Sequence, residues 1–249
     1  MSYERFAYLY DELMKDVPYE KWVELVLSKT EQYHVEGKQL LDLACGTGEL
    51  SVRLSKAGFL VTGVDLSSDM LTVARAKADE NGGNIRFFQQ NMAELEGLGQ
   101  YDVVCIFCDS LNYLETEADV LNTFKQVSLH LKNGGLLLFD VHSIYKIIQV
   151  FMNETFAVDE DEISYIWQCC QGEYPNSIEH DLAFFVLDKH TGKYDRFDER
   201  HYQRTFSVSE YKRWLSQAGF ELLETFSDFH GQNPDDQAER NFFIARKPL

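Results

Sequence analysis

A short apolar run that ends in a glycine turn is the feature that most limits the possible folds. Residues 40–44 are apolar apart from one aspartate, and Gly46-Thr47-Gly48 follows almost at once. Residues 50–56 then have the apolar spacing of a helix, which Gly58 ends in a left-handed conformation. A strand, a glycine turn and a helix in this order predict a parallel α/β unit with free backbone N–H groups at the turn.

The same alternation of strand and helix patterns continues along the chain. Further strands are predicted at 60–64, 85–88, 103–107, 136–141, 220–226 and 241–246. The helices between them begin at Ser67 or Ser68, at Thr116 and at Ser207 or Ser209, and Gly134-Gly135 is predicted to end the second of these. The pattern predicts an α/β fold: a Rossmann-like, seven-stranded, mostly parallel sheet with helices on both faces.

One stretch departs from this alternation. Residues 154–204 alternate polar with aromatic or branched side chains, and residues 188–192 have the composition of a hairpin turn. We therefore expect an antiparallel β insertion at 143–204 that acts as a lid. The cofactor-binding domain would comprise 36–142 and 205–249, and residues 1–35 would form an N-terminal helical cap.

The charge of the chain bears on its partners. The 249 residues carry 41 acidic and 23 basic side chains, a net charge of −18. Residues 151–200 alone hold 12 acidic and 4 basic side chains. Such a surface repels phosphates, so nucleic acid is a poor candidate partner, although Arg196, Arg200 and Arg204 could form an anion-binding face.

Targeting and metal signals are weak in the sequence. No apolar run approaches the ~20 residues of a membrane helix and no signal peptide is recognisable, so we expect a cytoplasmic protein with no membrane partner. Cys105 and Cys108 resemble a metal-binding pair, but a spacing of three in a strand points them to opposite faces. No metal site is predicted, and the oligomeric state stays open.

The glycine turn and the residue after the second strand indicate an adenosine-containing cofactor. Asp65 ends that strand, where a carboxylate can bind both ribose hydroxyls. Dinucleotide enzymes share this geometry, but their fingerprint requires a third glycine where Ser51 stands. Glu49 also places a negative charge where a pyrophosphate would bind. S-adenosylmethionine carries no phosphate, so the acid is compatible with it.

At the level of motifs the chain resembles the class I S-adenosylmethionine-dependent methyltransferases. The matching segments read LDLACGTGEL, GVDLSSDML, FFQQNMAEL and YDVVCIFCDSLNYL, and they fall within residues 36–145. The resemblance is greatest to uncharacterised bacterial methyltransferases of the small-molecule type. It implies S-adenosylmethionine as the cofactor and a small-molecule methyl acceptor.

The resemblance also implies a set of cofactor contacts. The methionine part would lie against the glycine turn, the ribose against Asp65, and the adenine against Leu66 and the pair that follows the third strand. Asp109 would face the ammonium or the methyl end, and Tyr10 would close the pocket. The predicted cofactor contacts are Tyr10, Ala44, Cys45, Gly46, Thr47, Asp65, Leu66, Asn91, Met92 and Asp109.

Two of these positions depart from the family pattern, and several have structural alternatives. Many relatives have glycine at the position of Ala44 and aspartate at that of Asn91, whose Oδ1 can still accept from the adenine amino group. Asp65 and Asp109 could simply cap turns, and Tyr10 could be a packing residue.

The acceptor is expected beyond the carboxyl ends of the strands, where the strand order reverses. Asn112, Tyr113 and His142 fall there and are the predicted substrate contacts. His142 is the best candidate base, with a structural histidine as the alternative. No residue is assigned as catalytic, and the sequence does not distinguish O- from N-methylation. The competing functions are a nicotinamide-dependent oxidoreductase and a non-catalytic, cofactor-binding regulatory protein.

Overall fold

The computed structural model describes residues 10, 11, 13–230 and 236–249. The helices are α1 (Tyr19–Gln32), α2 (Glu49–Lys56), α3 (Ser68–Glu80), α4 (Glu117–His130) and α5 (Val208–Gln217). The strands are β1 (Gln39–Leu43), β2 (Leu60–Asp65), β3 (Arg86–Gln89), β4 (Tyr101–Ile106), β5 (Leu131–His142), β6 (Thr155–Val158), β7 (Ile163–Gln171), β8 (Ser177–Asp188), β9 (Lys193–Arg204), β10 (Glu221–Ser227) and β11 (Arg240–Arg246). Short 3₁₀ segments cover Ser110–Tyr113 and Asp228–His230, and a π-helical turn covers Lys146–Phe151.

Seven strands form one sheet in the order β10-β11-β5-β4-β1-β2-β3. The five strands from β5 to β3 pair in parallel, whereas β11 is antiparallel to both β5 and β10. The order reverses at β1, which lies between β2 and β4, so the carboxyl ends of these strands border the crevice in which such sheets bind ligands. The prediction of a mostly parallel, seven-stranded Rossmann-like sheet is confirmed.

Helices cover both faces of this sheet because its central strands are apolar on both sides. Leu41 and Leu43 of β1 pack into a cluster with Phe124 of α4 and Trp214 of α5. Leu40, the neighbour of Leu41, belongs to the opposite cluster with residues of α1 and α2. Buried parallel strands have this two-sided apolar character.

The remaining four strands form a separate antiparallel sheet in the order β6-β7-β8-β9. We call the face that meets the seven-stranded sheet the inner face. Phe184 of β8 lies on it and packs against Met70 and Val73 of α3. Phe197 and Gln203 of β9 share this face, since side chains at even separations point the same way.

The predicted end of one helix is wrong. The sequence placed it at Gly134-Gly135, but α4 ends at His130 and Leu131 already pairs with Tyr101 of β4. The register shifts after Leu131, and Gly134 takes a φ of 81° in the bulge. Its N–H donates to the carbonyl of Lys247 at 2.8 Å, so the glycines serve a strand irregularity instead of a helix end.

In the described residues, no helix is long and apolar enough to cross a membrane. The same part of the chain contains no cluster of three or more histidine, cysteine or acidic side chains that could hold a metal ion.

Candidate functional site

The glycine turn leaves an open backbone surface at the end of β1. Ala44, Gly46 and Gly48 take φ values of 57°, 53° and 74°. A Cβ on Gly48 would come within 2.9 Å of the side chain of Ala74, so this glycine lets α2 and α3 pack closely. A Cβ on Gly46 would meet nothing within 4 Å, so a ligand can approach the backbone there.

The left-handed φ of Ala44 explains why glycine suits its position. A left-handed backbone raises the conformational energy of an alanine but not that of a glycine. The residue is nevertheless small enough to border the cavity described below.

Asp65 connects the end of β2 to the glycine turn. One carboxylate oxygen accepts from the N–H of Gly46 and the other from the N–H of Ser67, both at 2.8 Å. Burial raises the pKa of Asp65, and these backbone donors oppose the rise. Each oxygen keeps a lone pair. Leu66 beside it exposes 67% of its surface and offers an apolar platform.

Ser51 replaces the third glycine of a dinucleotide motif and has its own role. Its hydroxyl donates to Asp42 of β1 at 2.5 Å, and both residues are buried. Burial raises the pKa of Asp42 to about 7, against the effect of this hydrogen bond. This buried hydrogen bond joins α2 to β1.

A segment before α1 closes over the glycine turn. Thr47 donates through Oγ1 to Asp11 at 2.6 Å, and Lys77 of α3 pairs with Asp11 at 2.7 Å. Lys77 also pairs with Glu49 at 2.9 Å. Burial alone would raise the pKa of Glu49, but its bonds with Lys77 and Arg53 outweigh that effect and lower it.

This closure leaves a small cavity, which we call the turn cavity, of about 50 Å³. Pockets for nucleoside-sized ligands usually exceed about 300 Å³, so the segment has to move for such a ligand to enter. The cavity is lined by Tyr10, Tyr19, Asp42, Ala44, Cys45, Gly46, Thr47, Glu49, Leu50, Phe107, Cys108 and Ser110.

Asn91 and Met92 follow β3, next to β2 in the sheet. The Oδ1 of Asn91 accepts from the N–H of Ala93 at 3.0 Å, so one of its lone pairs is occupied. Met92 is half-buried and packs on the core. Both positions follow the strand that pairs with β2, which ends at Asp65.

Asp109 lies in a buried polar network instead of the turn cavity. Cys108 and Asp109 both take left-handed φ values, 54° and 51°. Arg240 of β11 pairs with Asp109 at 2.9 Å and with Asp140 of β5 at 2.8 Å. Asp140, which is wholly buried, also accepts from the indole of Trp22 at 2.6 Å.

His142 and Gln203 complete the contacts of Asp109. His142 Nε2 lies 3.1 Å from Asp109 Oδ2, and the amide of Gln203 donates to the same oxygen at 2.9 Å. Burial opposes the charge on Asp109, but His142 and Arg240 hold its pKa well below the ordinary value. Burial lowers the pKa of His142, whose Nδ1 is buried without a hydrogen-bond partner among the described residues.

The network continues to the inner face through His180 of β8. The indole N–H of Trp167 can only donate, and it does so to His180 Nδ1 at 3.0 Å. The proton of the neutral ring is therefore on Nε2, which meets the Gln203 Oε1 at 3.2 Å. Burial lowers the pKa of His180 to about 4, which keeps this ring neutral.

Asn112 and Tyr113 differ sharply in their surroundings. The amide of Asn112 donates to the carbonyl of Arg204 at 2.8 Å and accepts from the N–H of His142 at 2.9 Å. It is wholly buried and joins three segments. Tyr113 is 47% exposed, and its hydroxyl lies 3.3 Å from Nδ1 of His201 on the inner face.

The predicted residues thus separate into two groups. Tyr10, the glycine turn and Asp65 adjoin the turn cavity or contact its lining, whereas Asp109, Asn112 and His142 belong to the buried network. Their roles as ligand contacts stay predictions. Sequence reasoning missed Asp11, Lys77, Asp140, His180, Gln203 and Arg240. These residues carry no motif, and only strand alternation in β8 and β9 hinted that some share a face.

Comparisons with known proteins agree with this geometry. A family model described as a methyltransferase domain matches residues 40–135. Proteins named as putative methyltransferases from Geobacillus sp. (strain WCH70) and Bacillus subtilis (strain 168) are 52% and 49% identical over 99% of this chain, covering 100% and 98% of their own. The crystal structure of an S-adenosylmethionine-dependent methyltransferase from Clostridium acetobutylicum ATCC 824 is 31% identical, covers 100% of both chains and has a TM-score of 0.90.

The chain belongs to the S-adenosylmethionine-dependent methyltransferases. It is an enzyme of this family, and S-adenosylmethionine is its cofactor. The alternatives of a nicotinamide-dependent oxidoreductase and a non-catalytic regulatory protein are therefore set aside. The methyltransferase has an open glycine backbone at Gly46 and a carboxylate, Asp65, bonded to it at the end of β2.

Proposed function

We propose that this methyltransferase methylates a nitrogen or oxygen atom of a small molecule that binds between the turn cavity and the inner face. The observation that supports this most is the position of Tyr10, which lines the turn cavity and packs against the cluster that includes Phe184 of the inner face. A methyl donor in the cavity would therefore border the second sheet directly.

The proposed cofactor contacts divide along β1, β2 and β3. The glycine turn would receive the methionine part at Ala44, Cys45, Gly46 and Thr47, with Tyr10 above it. Asp65 would accept hydrogen bonds from the ribose hydroxyls through its remaining lone pairs, while its bonds to Gly46 and Ser67 hold it in place. Leu66, Asn91 and Met92 would contact the adenine.

The bound cofactor supplies a methyl group on a positively charged sulfur, whose charge disappears as the methyl group leaves. The chain has to hold the acceptor atom in line with that methyl group, and such positioning can supply roughly 7–11 kcal/mol. Asp109 fixes the His142 ring with its proton on Nε2. Nδ1 of His142 is then the atom that could receive a proton from a hydroxyl or amine acceptor.

The insertion at 143–204 is proposed to act as the lid that excludes water from this transfer. Its acidic composition favours a small acceptor over a nucleic acid. Curated relatives include a ubiquinone biosynthesis O-methyltransferase from Coxiella burnetii, 28% identical over 195 residues. They also include a glycine/sarcosine N-methyltransferase from Halorhodospira halochloris, 27% identical over 210 residues. Small-molecule acceptors occur in both names.

The test uses S-adenosylmethionine that carries a trideuterated methyl group. The full chain is incubated with a Bacillus subtilis extract divided into small molecules, RNA and protein, and labelled products are identified by mass spectrometry. We expect label in the small-molecule fraction together with formation of S-adenosylhomocysteine. Label confined to RNA or protein, or no transfer by a chain that binds S-adenosylhomocysteine in calorimetry, would contradict the proposal.

A further inference from the structure

Glu199 is a buried carboxylate with one oxygen that has no hydrogen-bond partner among the described residues. It lies on the inner face of β9 between Phe197 and His201, opposite Leu182 of β8. Only 7% of its surface is exposed, and its Oε1 is buried with no hydrogen-bond partner among the described residues. Burial raises its pKa. An unpaired buried carboxylate costs free energy and needs an explanation, and a donor supplied by a bound molecule is one such explanation.

The neighbours of Glu199 place it above the end of β1. On one side, Phe197 packs in the cluster of Met70, which belongs to the helix after β2. On the other side, His201 meets Tyr113, which follows β4. In the sheet, β1 lies between β2 and β4, and its end carries the glycine turn. Glu199 therefore lies over the region of the turn cavity.

No cation of the same sheet is directed at Glu199. Arg196 and Arg200 are its nearest basic residues along β9. Both lie at an odd separation from Glu199, so their side chains point to the opposite, outer face of the sheet. There they pair with Asp198 at 2.7 Å and with Asp181 at 2.6 Å. The negative charge of Glu199 consequently lacks a counter-charge from its own strand, and an ammonium group is the ligand chemistry that would supply one.

We propose that Glu199 binds the methyl acceptor through a protonated amine, which makes this enzyme an N-methyltransferase of small amines. The inference rests on the proposed function and specifies its substrate class. An ammonium group would donate a hydrogen bond to Oε1 and satisfy the oxygen that the fold leaves unpaired.

The same carboxylate can prepare the amine for transfer. The ammonium passes one proton to Glu199 and becomes a neutral amine with a free electron pair. That pair forms the new N–C bond while the S–C bond breaks and its electrons stay on sulfur. The products are S-adenosylhomocysteine and a methylated ammonium, and the protonated Glu199 returns its proton to water.

His142 also has a buried atom without a hydrogen-bond partner among the described residues, but its position suits this role less. Its ring makes an edge contact with Phe151 at 5.5 Å between centroids. Its backbone N–H and carbonyl are held by Asn112 and Thr205. It ends β5, which is separated from β1 by β4, whereas the neighbours of Glu199 contact residues that follow β2 and β4, the strands on either side of β1. We therefore assign the acceptor nitrogen to Glu199.

The test compares an untreated small-molecule extract of Bacillus subtilis with one whose amines have been acetylated. Transfer of a trideuterated methyl group is followed by mass spectrometry with the wild-type chain, Glu199→Gln and Asp198→Asn. Asp198→Asn removes the same charge from the neighbouring residue on the outer face, so it is the matched control. Binding of S-adenosylhomocysteine and the urea unfolding midpoint are measured for all three.

We expect acetylation to abolish labelled products and Glu199→Gln to reduce transfer at least about tenfold, the effect of losing a hydrogen bond to a charged group. Asp198→Asn should stay within about twofold, since exposed ion pairs contribute little. Glu199→Gln should bind S-adenosylhomocysteine normally and unfold at the same or a higher urea concentration, because it removes an uncompensated buried charge.

The outcomes separate the two proposals. Labelled small molecules that persist after acetylation, or full transfer by Glu199→Gln, would overturn the amine assignment and leave the proposed function intact. Absence of any labelled small molecule would overturn both. The acetylation result needs no variant, so the proposal can fail even where Glu199→Gln does not fold.

Discussion

The proposed cofactor side and the proposed acceptor side of this molecule are built in opposite ways. On the cofactor side, Asp65 bonds to Gly46 and Ser67, which lie 19 and 2 positions away, within the continuous segment from β1 to α3. On the acceptor side, Arg240 bonds to Asp109 and Asp140, which lie 131 and 100 positions away. One side is a local motif, whereas the other is a buried polar network joined only by folding.

From this difference we expect changes in the buried network to lower mainly the free energy of unfolding. Changes in the glycine turn and at Asp65 should weaken mainly the binding of the cofactor. Asp140 and His142 are buried within the network, so each needs its partners to compensate for lost hydration. Asp65 and Leu66 remain partly or mostly exposed. Changes on the two sides should therefore have separable effects, and four predictions test this.

The largest effect is expected from Arg240→Met. The change leaves Asp109 and Asp140 buried without their cation, which typically costs about 3–5 kcal/mol of unfolding free energy. Urea unfolding measures the loss. Arg213→Met, which removes an exposed pair with Glu117 at 3.5 Å, is the control and should cost less than about 1 kcal/mol. Equal losses would show that the network is not the stability determinant.

His180 should make stability depend on pH. Its folded pKa of about 4 lies below the ordinary value of 6.5, so the unfolded chain binds the proton first as the pH falls. The contribution is complete above about pH 6.5 and is lost by about pH 4, which amounts to roughly 3 kcal/mol.

The measurement is urea unfolding of wild type and His180→Asn at pH 7 and pH 4.5. The advantage of the wild type should shrink as the pH falls. His190→Asn, in the exposed hairpin turn, is the control and should leave the pH dependence unchanged. A wild-type advantage that stays constant between the two pH values would contradict this assignment.

On the cofactor side, Asp65→Ala should weaken binding more than folding. It removes the acceptors for two backbone N–H groups and, by our proposal, for the ribose hydroxyls. We expect the Kd for S-adenosylhomocysteine to rise about 10- to 100-fold in calorimetry. Asp79→Ala, at the exposed end of α3, is the control. An unchanged Kd for Asp65→Ala would refute the assigned pocket.

The smallest effect concerns the segment that closes the turn cavity. Asp11→Asn weakens the bonds to Thr47 and Lys77, which are partly exposed, so stability should change by less than about 1 kcal/mol. The open form should become more populated, and S-adenosylhomocysteine should associate about two- to fivefold faster in stopped-flow measurements. Slower association would instead make Asp11 a direct aid to binding.

The local structure around the glycine turn could be predicted from the sequence because its information is local. The glycine turn, the position of Asp65 and the role of Ser67 as a helix cap each follow from a few neighbouring residues. The strand alternation also predicted the hairpin between β8 and β9. The substitution of Ser51 argued correctly against a dinucleotide, although its bond to Asp42 was visible only in the structure.

The partners within the buried network and on the inner face could not be predicted because they depend on register. Shifting β9 by one residue would direct Glu199 outward and Asp198 inward, and nothing in the sequence alone decides between them. Arg240 was assigned no role because its partners lie on β5 and after β4. Pairing of distant strands supplies this information, and it appears only in the folded chain.

The clamp formed by Asn112 has a consequence for how acceptor preference can change. Its amide holds both His142, where β5 of the seven-stranded sheet ends, and Arg204, where β9 of the four-stranded sheet ends. Thr205 closes the same gap by donating to the carbonyl of His142 at 2.5 Å. The two ends of the proposed insertion, at His142 and Arg204, are therefore held next to each other. A different insertion could therefore replace this one between the same two positions without changing the residues that we propose to bind the methyl donor.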